Sequence, residues 1–302
     1  METKSRPRIL VTGKDGQVGF ELERALRPFG NVTAVGRAEC DLRSAEAIKA
    51  MFAEVDPDIV VNPAAYTAVD KAESDAATAH AVNAAAAGLM AEECARRGAF
   101  LVHYSTDYVF DGKKDGRYAE DDASAPQSVY GKSKLAGEEA IRMAGARHVI
   151  LRTSWVFGVH GNNFLKTILR LARERDSLRI VADQFGAPTS ARLIAGTTAV
   201  IVQRFLDSGD FAAYGTYHLA AGGATSWHGY AQFVAETALS MGMLLKAVPS
   251  AILPIGTDDY PLPAPRPANS QLDTTKLQSA FGIDLPHWHV GVIDVLNQLK
   301  PV

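Results

Sequence analysis

The stretch from Arg8 to Leu26, RILVTGKDGQVGFELERAL, constrains the fold of this chain more than any other. A short apolar run (RILVT, Arg8 to Thr12) enters a turn with glycines at 13, 16 and 19, after which Val18, Leu22 and Leu26 repeat at helical spacing. A second apolar run, NVTAV (Asn31 to Val35), follows at the distance expected of a βαβ unit, about 30 residues in all. Parallel strands need such crossover helices, and a sheet built from them is covered on both faces. DIVV (Asp58 to Val61), AFLVHYS (Ala99 to Ser105) and HVILR (His148 to Arg152) read as further strands. An alanine-rich helical stretch carries Val82, Leu89 and Met90 and stops at Arg96, Arg97 and Gly98, a C-terminal charge pair followed by a helix terminator. The predicted fold class is α/β, a doubly wound parallel sheet.

Beyond Arg152 the texture changes. Longer loops, TSWVFGVHGNN and DQFGAPTS, separate helical patterns such as Phe164 to Arg175. GTYHLA reads as a strand, and Ser226 as the N-cap of a helix from Trp227 to Met241. VPSAILPIGTDDYPLPAPRPANS holds six of the 14 prolines, which excludes regular helix; its apolar content predicts an ordered loop. The expected organisation is a dinucleotide-binding domain over residues 1–152, then a smaller α/β substrate-binding region over 153–302 with segments returning to the first core.

A chain of 302 residues buries most of its unfolded surface, so its core requires neither disulfides nor metal. The net charge of −3 offers no basic field for nucleic acid or an anionic membrane, and any anion site must be local. The two cysteines, Cys40 and Cys94, lie far apart without CxxC spacing, which fits a reducing cytoplasm. No apolar run has the length of a membrane span or a signal core, so the expectation is a cytoplasmic protein.

A strand running into a glycine turn and a helix N-terminus aims backbone N–H groups at one point, where a pyrophosphate is stabilised. Gly13, Gly16, Gln17, Val18 and Gly19 form that turn, with GxxGxxG spacing instead of GxGxxG. The second strand ends AVGR, and Arg37 there points to the 2′-phosphate of NADPH; Glu39 leaves NADH open. The strand AFLVHYS runs into STDYVFDG, so Ser105, Thr106 and Asp107 fall at the carboxyl edge of the sheet, where ligands bind. Ser128 then begins a helix carrying Tyr130 and Lys134, one turn apart on one face. Of nine tyrosines only Tyr130 has a lysine four positions on. Hydroxyl, phenol and ammonium would converge over a nicotinamide.

With these residues the chain resembles the extended short-chain dehydrogenase/reductases and, more narrowly, the dTDP-4-dehydrorhamnose reductases. The resemblance runs over nearly the whole chain through GKDGQVGFEL, AAYTAVDKAE, HYSTDYVFDG, VYGKSKLAGE, LRTSWVFG, GNNF, DQFGAPT and RPANSQLDTTKL. It implies a Rossmann-type fold and NADPH-dependent reduction of dTDP-4-dehydro-β-L-rhamnose to dTDP-L-rhamnose. Tyr130 would be the general acid, with Lys134 lowering the phenol pKa and holding the nicotinamide ribose, and Thr106 the donor to the ketone oxygen. Asp41 and Leu42 would meet the adenine, Ala64 and Ala65 would let the cofactor approach, and Tyr66 would pack nearby. Asp107 would serve the substrate or a proton network, or form a turn. Trp155 would lay a flat ring on the sugar, or belong to the core. Asn163, Gln184, Thr189 and Arg266 would cover the nucleotide diphosphate, Arg266 by a bidentate contact.

Two departures from the family pattern stand out. Pro63 replaces alanine in NPAAYTAVDKAE and removes one backbone donor. Some relatives join a dimer through a divalent ion held by acids; here Glu21 is present, but Arg192 stands where an acid is expected and Asp294 is the one acid of the last helix, Val290 to Leu299. No metal is therefore expected, and a homodimer is left open. His287 and His289, alternating about Trp288, read as packing and surface residues. Two other functions compete: reduction of a different nucleotide-linked 4-keto sugar, and a non-catalytic NADP-binding regulatory subunit.

Overall fold

The computed structural model describes residues 6–208 and 211–300. The first crossover unit forms as its sequence pattern predicts, with β1 (Arg8–Thr12), α1 (Gln17–Leu26) and β2 (Asn31–Val35). The chain continues through α2 (Ala45–Val55), β3 (Ile59–Asn62), α3 (Ala86–Arg97), β4 (Phe100–Thr106), α4 (Val129–Met143) and β5 (Arg147–Thr153). Then come α5 (Phe164–Glu174), β6 (Leu178–Val181), α6 (Ala191–Asp207), β7 (Gly215–His218), α7 (Trp227–Ser240), β8 (Ile252–Ile255), α8 (Thr275–Phe281) and α9 (Trp288–Leu299). Short helical turns and two-residue bridges connect them.

The central sheet has six parallel strands in the order β7-β5-β4-β3-β1-β2. Alternation along β1 shows how it is covered. Ile9 and Val11 pack with Leu22 and Leu26 of α1 and Ile194 and Ile201 of α6, whereas Leu10 packs with Phe52 of α2 and Met90 and Cys94 of α3. The chain steps from β1 outward to β2, then returns to the other side of β1 as β3. The crevice at the carboxyl ends of β1 and β3 is therefore the topological switch point, where such sheets bind ligands.

The alanine-rich stretch is not one uniform helix. Ala76–His80 leads into a π-helical segment, Ala81–Ala85, before α3 begins. The wider turn sets the buried Asn83 against a neighbouring loop: its Oδ1 accepts from Tyr66 N at 2.8 Å, and its Nδ2 donates to Tyr66 O at 3.1 Å and Ser133 Oγ at 2.9 Å.

A second core gathers α5, α7, α9, β6 and β8 around Leu165, Ile168, Tyr230, Val234, Trp288 and Val292. β7 and α6, although late in the chain, belong to the central sheet and its covering layer. The proline-rich segment predicted to be a loop contains β8, which pairs in parallel with β6, Pro254 opposite Ile180. A two-stranded sheet has only edges, so the donor missing at Pro254 disrupts no interior ladder. Ser226 caps α7 as predicted, accepting from Gly229 N. No described helix is long and apolar enough to cross a membrane.

Candidate active site

The glycine turn after β1 is held by contacts that leave no space for side chains. Gly13 has φ +64°, and a Cβ there would lie 2.9 Å from Ala64 Cα; a Cβ on Gly19 would lie 2.0 Å from Gly13 O. The turn thus presses against both α1 and the segment after β3. Gly16 is the N-cap of α1 and has no side chain to cap the first turn, which also holds no acidic residue. Such a helix start suits an anion.

This turn opens into a cleft of about 890 Å³ across the sheet's carboxyl edge. Gly13, Gly16, Gln17, Val18, Gly19, Arg37, Asp41, Leu42, Ala64, Ala65 and Tyr66 all line it, as do Thr106, Asp107, Tyr130, Lys134 and Trp155. At its outer end Glu39 is occupied: Oε1 accepts from Lys14 Nζ at 2.6 Å and Oε2 from Gly36 N at 2.8 Å. Asp41 is engaged too. Arg43 donates to it through Nε and Nη2, which holds the carboxyl well below the usual carboxylate range. Arg43, a second guanidinium lining the cleft near Arg37, was missed in the sequence.

At the inner end Tyr108 meets Tyr130 edge-on, ring centroids 5.5 Å apart. Thr106 Oγ1 donates to Asp107 Oδ1 at 3.0 Å and accepts from Tyr108 N at 3.3 Å. The other Asp107 oxygen accepts from Ser270, far along the chain. Burial pushes Asp107 up to about 6 against the pull of these two hydroxyls. Lys134 is 2% exposed, and its Nζ donates to Tyr104 O at 2.6 Å and lies 3.3 Å from His103 Nε2. Burial brings its pKa down to about 8, with Glu138 opposing.

These surroundings correct one expectation. Lys134 was expected to lower the Tyr130 pKa, yet the phenol is pushed up to about 12, because burial disfavours the phenolate and the Asp107 charge adds to it; the Thr106 hydroxyl acts in the opposite sense. Two of the three lysine N–H groups face Tyr104 O and His103, and the same burial lowers the lysine's own pKa.

Trp155 fits the second of its two expected readings, packing against the second core while it lines the cleft. It holds φ +49°, a conformation strained for a bulky residue. A Cβ on Gly186 would stand 2.6 Å from its Cε2, 2.9 Å from Nε1 and 3.0 Å from Cζ2, distances that place it over the ring's face. Trp227 stacks on the opposite face, centroids 3.6 Å apart and 12° from parallel. With both faces covered, Trp155 can meet the cleft only by its edge. Trp227 lines the cleft as well, and only the tertiary fold reveals it.

Four residues expected over the diphosphate do not line this cleft. Asn163 caps α5 by accepting from Lys166 N, and its Nδ2 donates to Gln17 Oε1 at 2.9 Å and Gly158 O at 2.8 Å. Gln184 is buried and donates to Thr257 Oγ1 at 3.1 Å. Thr189 is buried between Ala187 O and Ala221 N. Arg266 pairs with Asp70 at 2.7 Å and lines a smaller adjoining cavity of about 220 Å³ beside Tyr108. Conversely, the hydroxyls of Thr153 and Ser154, which line the cleft, are buried without a hydrogen-bond partner among the described residues. Their positions at strand ends were the available signal. At the surface, Arg192 pairs with Asp294 at 3.1 Å, so the arginine that departs from the family pattern neutralises that helix's one acid.

Glycine turn, switch-point cleft and the Thr106, Tyr130 and Lys134 group together define a Rossmann-type reductase of the short-chain dehydrogenase/reductase kind. The family described as RmlD substrate binding domain matches residues 7–300, and the chain belongs to it. It is 48% identical to a dTDP-4-dehydrorhamnose reductase of Burkholderia thailandensis over 288 residues, 94% of this chain and 96% of that one. A solved dTDP-4-dehydrorhamnose reductase from Clostridium acetobutylicum superposes with a TM-score of 0.88 at 33% identity, covering 97% of this chain and 99% of that one. Another, from Bacillus anthracis in complex with NADP, gives 0.87 at 32% identity with the same coverage.

Proposed function

We propose that this protein is an NADPH-dependent dTDP-4-dehydrorhamnose reductase, converting dTDP-4-dehydro-β-L-rhamnose to dTDP-L-rhamnose. One observation carries the reading: relatives of this name match nearly end to end, and the Thr106, Tyr130 and Lys134 side chains share one cleft with the glycine turn. NADPH, when bound, supplies the hydride to the ketone carbon. The cradle fits it, since Gly13 and Gly19 admit no Cβ and the α1 N-terminus is uncapped by any side chain. Arg37 supplies positive charge for a 2′-phosphate, with Arg43 beside it paired to Asp41, while Glu39 is already bound by Lys14 and Gly36.

Tyr130 gives its proton to the alkoxide that develops as the carbonyl is reduced. A pKa near 12 keeps the phenol fully protonated before the reaction, as an acid must be. Lys134 holds the ribose with an N–H not used by Tyr104 or His103. Thr106, now donating to Asp107, turns its hydrogen to the ketone oxygen when substrate enters. Asp107 keeps the Ser270 hydroxyl as a donor when Thr106 turns away.

The test supplies NADPH and dTDP-4-dehydro-6-deoxy-D-glucose with the matching epimerase, follows nicotinamide absorbance and identifies the sugar formed. The reading expects NADPH loss and dTDP-L-rhamnose. Formation of another sugar would assign the alternative substrate, and no oxidation at all would favour a regulatory NADP-binding role. Tyr130→Phe should keep NADPH affinity and lower kcat by about 10²- to 10⁴-fold; near-normal turnover would remove Tyr130 from the acid role.

A further inference from the structure

A polar chain inside the sheet ends on Lys134. Thr12 Oγ1 lies 2.6 Å from Asn62 Oδ1, Asn62 Nδ2 lies 3.0 Å from His103 Nδ1, and His103 Nε2 lies 3.3 Å from Lys134 Nζ. All four side chains are 2% exposed or less; Thr12 and Lys134 line the cleft, while Asn62 and His103 lie behind its lining. Asn62 and His103 face each other across the β3–β4 pairing, and Thr12 comes from β1 on the other side of β3. The chain therefore crosses beneath the cofactor cleft from the glycine turn to the reacting centre. The hydride-transfer chemistry itself does not require Asn62 or His103.

Burial, together with the charges of Lys134 and His148, holds His103 far below the ordinary histidine range, so its ring is neutral. A neutral imidazole has one N–H and one lone pair, and the partner of one nitrogen decides the state of the other. If the Asn62 amide nitrogen faces Nδ1, the proton sits on Nε2 and points at Lys134, an arrangement that suits only the uncharged amine. If the amide is turned, its carbonyl accepts from Nδ1–H, Thr12 accepts from Nδ2, and the Nε2 lone pair faces the ammonium. The two orientations occupy the same envelope.

We propose that His103 is a positioning residue for Lys134: its Nε2 lone pair accepts one ammonium N–H, and Asn62 and Thr12 hold the ring in the Nδ1–H form that leaves this lone pair free. Tyr104 O takes a second N–H, which leaves the third for the cleft. The direction of the buried chain and the charge of Lys134 are thereby coupled. The other groups facing the pair are Glu138 of α4, ion-paired with Arg152 of β5 at 2.7 Å, and His148 of β5, with Tyr130 and Asp107 across the cleft. Glu138 favours the ammonium, and it stays ionised because Arg152 and Arg142 hold its pKa down against burial.

This inference rests on Lys134 being the catalytic lysine. Its first test needs neither substrate nor cofactor, so its failure is separable from failure of that reading. In full-length protein with ¹⁵N-labelled histidine, His103 should show the Nδ1–H tautomer at pH 7 and convert to Nε2–H as Lys134 loses its proton. An Nε2–H signal at pH 7, or a tautomer unchanged through that titration, overturns the proposal. The second test is the alkaline limb of kcat for NADPH oxidation. His103→Leu should move it down by about one pH unit, the size of one charge-assisted hydrogen bond. His103→Gln, whose side-chain carbonyl replaces the acceptor, should restore it. A limb unmoved in His103→Leu, or moved equally in both variants, refutes the role. Should His103→Leu not fold, the tautomer measured in the unmodified protein decides the matter.

Discussion

Replacing Lys134 with methionine should change how the stability of the cofactor-free protein depends on pH. The ammonium is almost wholly buried, and burial lowers its pKa from 10.5 to about 8. That gap corresponds to about 3 kcal/mol disfavouring the charged form in the folded state. In the unfolded chain the same lysine keeps its proton to about pH 10.4. Between the folded and unfolded values the unfolded state binds more protons, so stability rises with pH, by at most about 1.4 kcal/mol per unit. Below pH 8 both states are protonated and the penalty is complete; as pH rises through the unfolded value it disappears. Methionine fills the stem but cannot titrate. It also leaves the Tyr104 carbonyl without its donor, a cost of about 1–3 kcal/mol that does not vary with pH. Measured by urea unfolding followed by circular dichroism, Lys134→Met relative to wild type should therefore look best at pH 7 and lose about 3 kcal/mol of that standing by pH 10.5. Groups that titrate in both proteins cancel from the comparison. Parallel stability curves over this range would show that the buried lysine is not strained by its charge.

Two further variants probe the cofactor end. Arg37→Ala should raise KM for NADPH about tenfold and leave KM for NADH nearly unchanged, as expected for one lost charge-assisted phosphate contact; equal changes for both cofactors would place Arg37 elsewhere. Gly19→Ala drives a Cβ to 2.0 Å from Gly13 O and should force the turn from α1, weakening NADPH affinity, measured by fluorescence titration, and lowering stability by about 1–3 kcal/mol. Normal NADPH affinity in that variant would mean that the turn has room the contacts deny.

What could be read from the amino-acid order follows from what local sequence can encode. Ile9, Leu10 and Val11 announce a strand buried on both faces, Gly13 and Gly19 a turn pressed against a helix, and Tyr130 and Lys134 one face of one helix, because strand and helix periods are properties of neighbouring residues. The proline-rich segment misled for a related reason. A proline argues against a strand unless the strand lies at an edge, and that depends on β6, about 70 residues away in sequence.

Electrostatics and packing at the site were decided by the tertiary structure alone. The YxxxK spacing brings a lysine near the phenol, but not the burial that pushes Tyr130 up, nor the Tyr104 carbonyl and His103 ring that claim the ammonium. Trp155 reads as a flat surface until Gly186 and Trp227 are seen on its two faces. Asp107 gains its second hydroxyl from Ser270, 163 positions on. The sequence by itself determined the parallel sheet, the phosphate turn and the cleft residues that lie next to them along the chain, whereas Arg43 and Trp227 reach the cleft, and Asn163, Gln184, Thr189 and Arg266 miss it, through the tertiary fold. The protonation, orientation and free faces of the cleft side chains came only from the assembled fold, because desolvation and contact are set by residues that are remote along the chain.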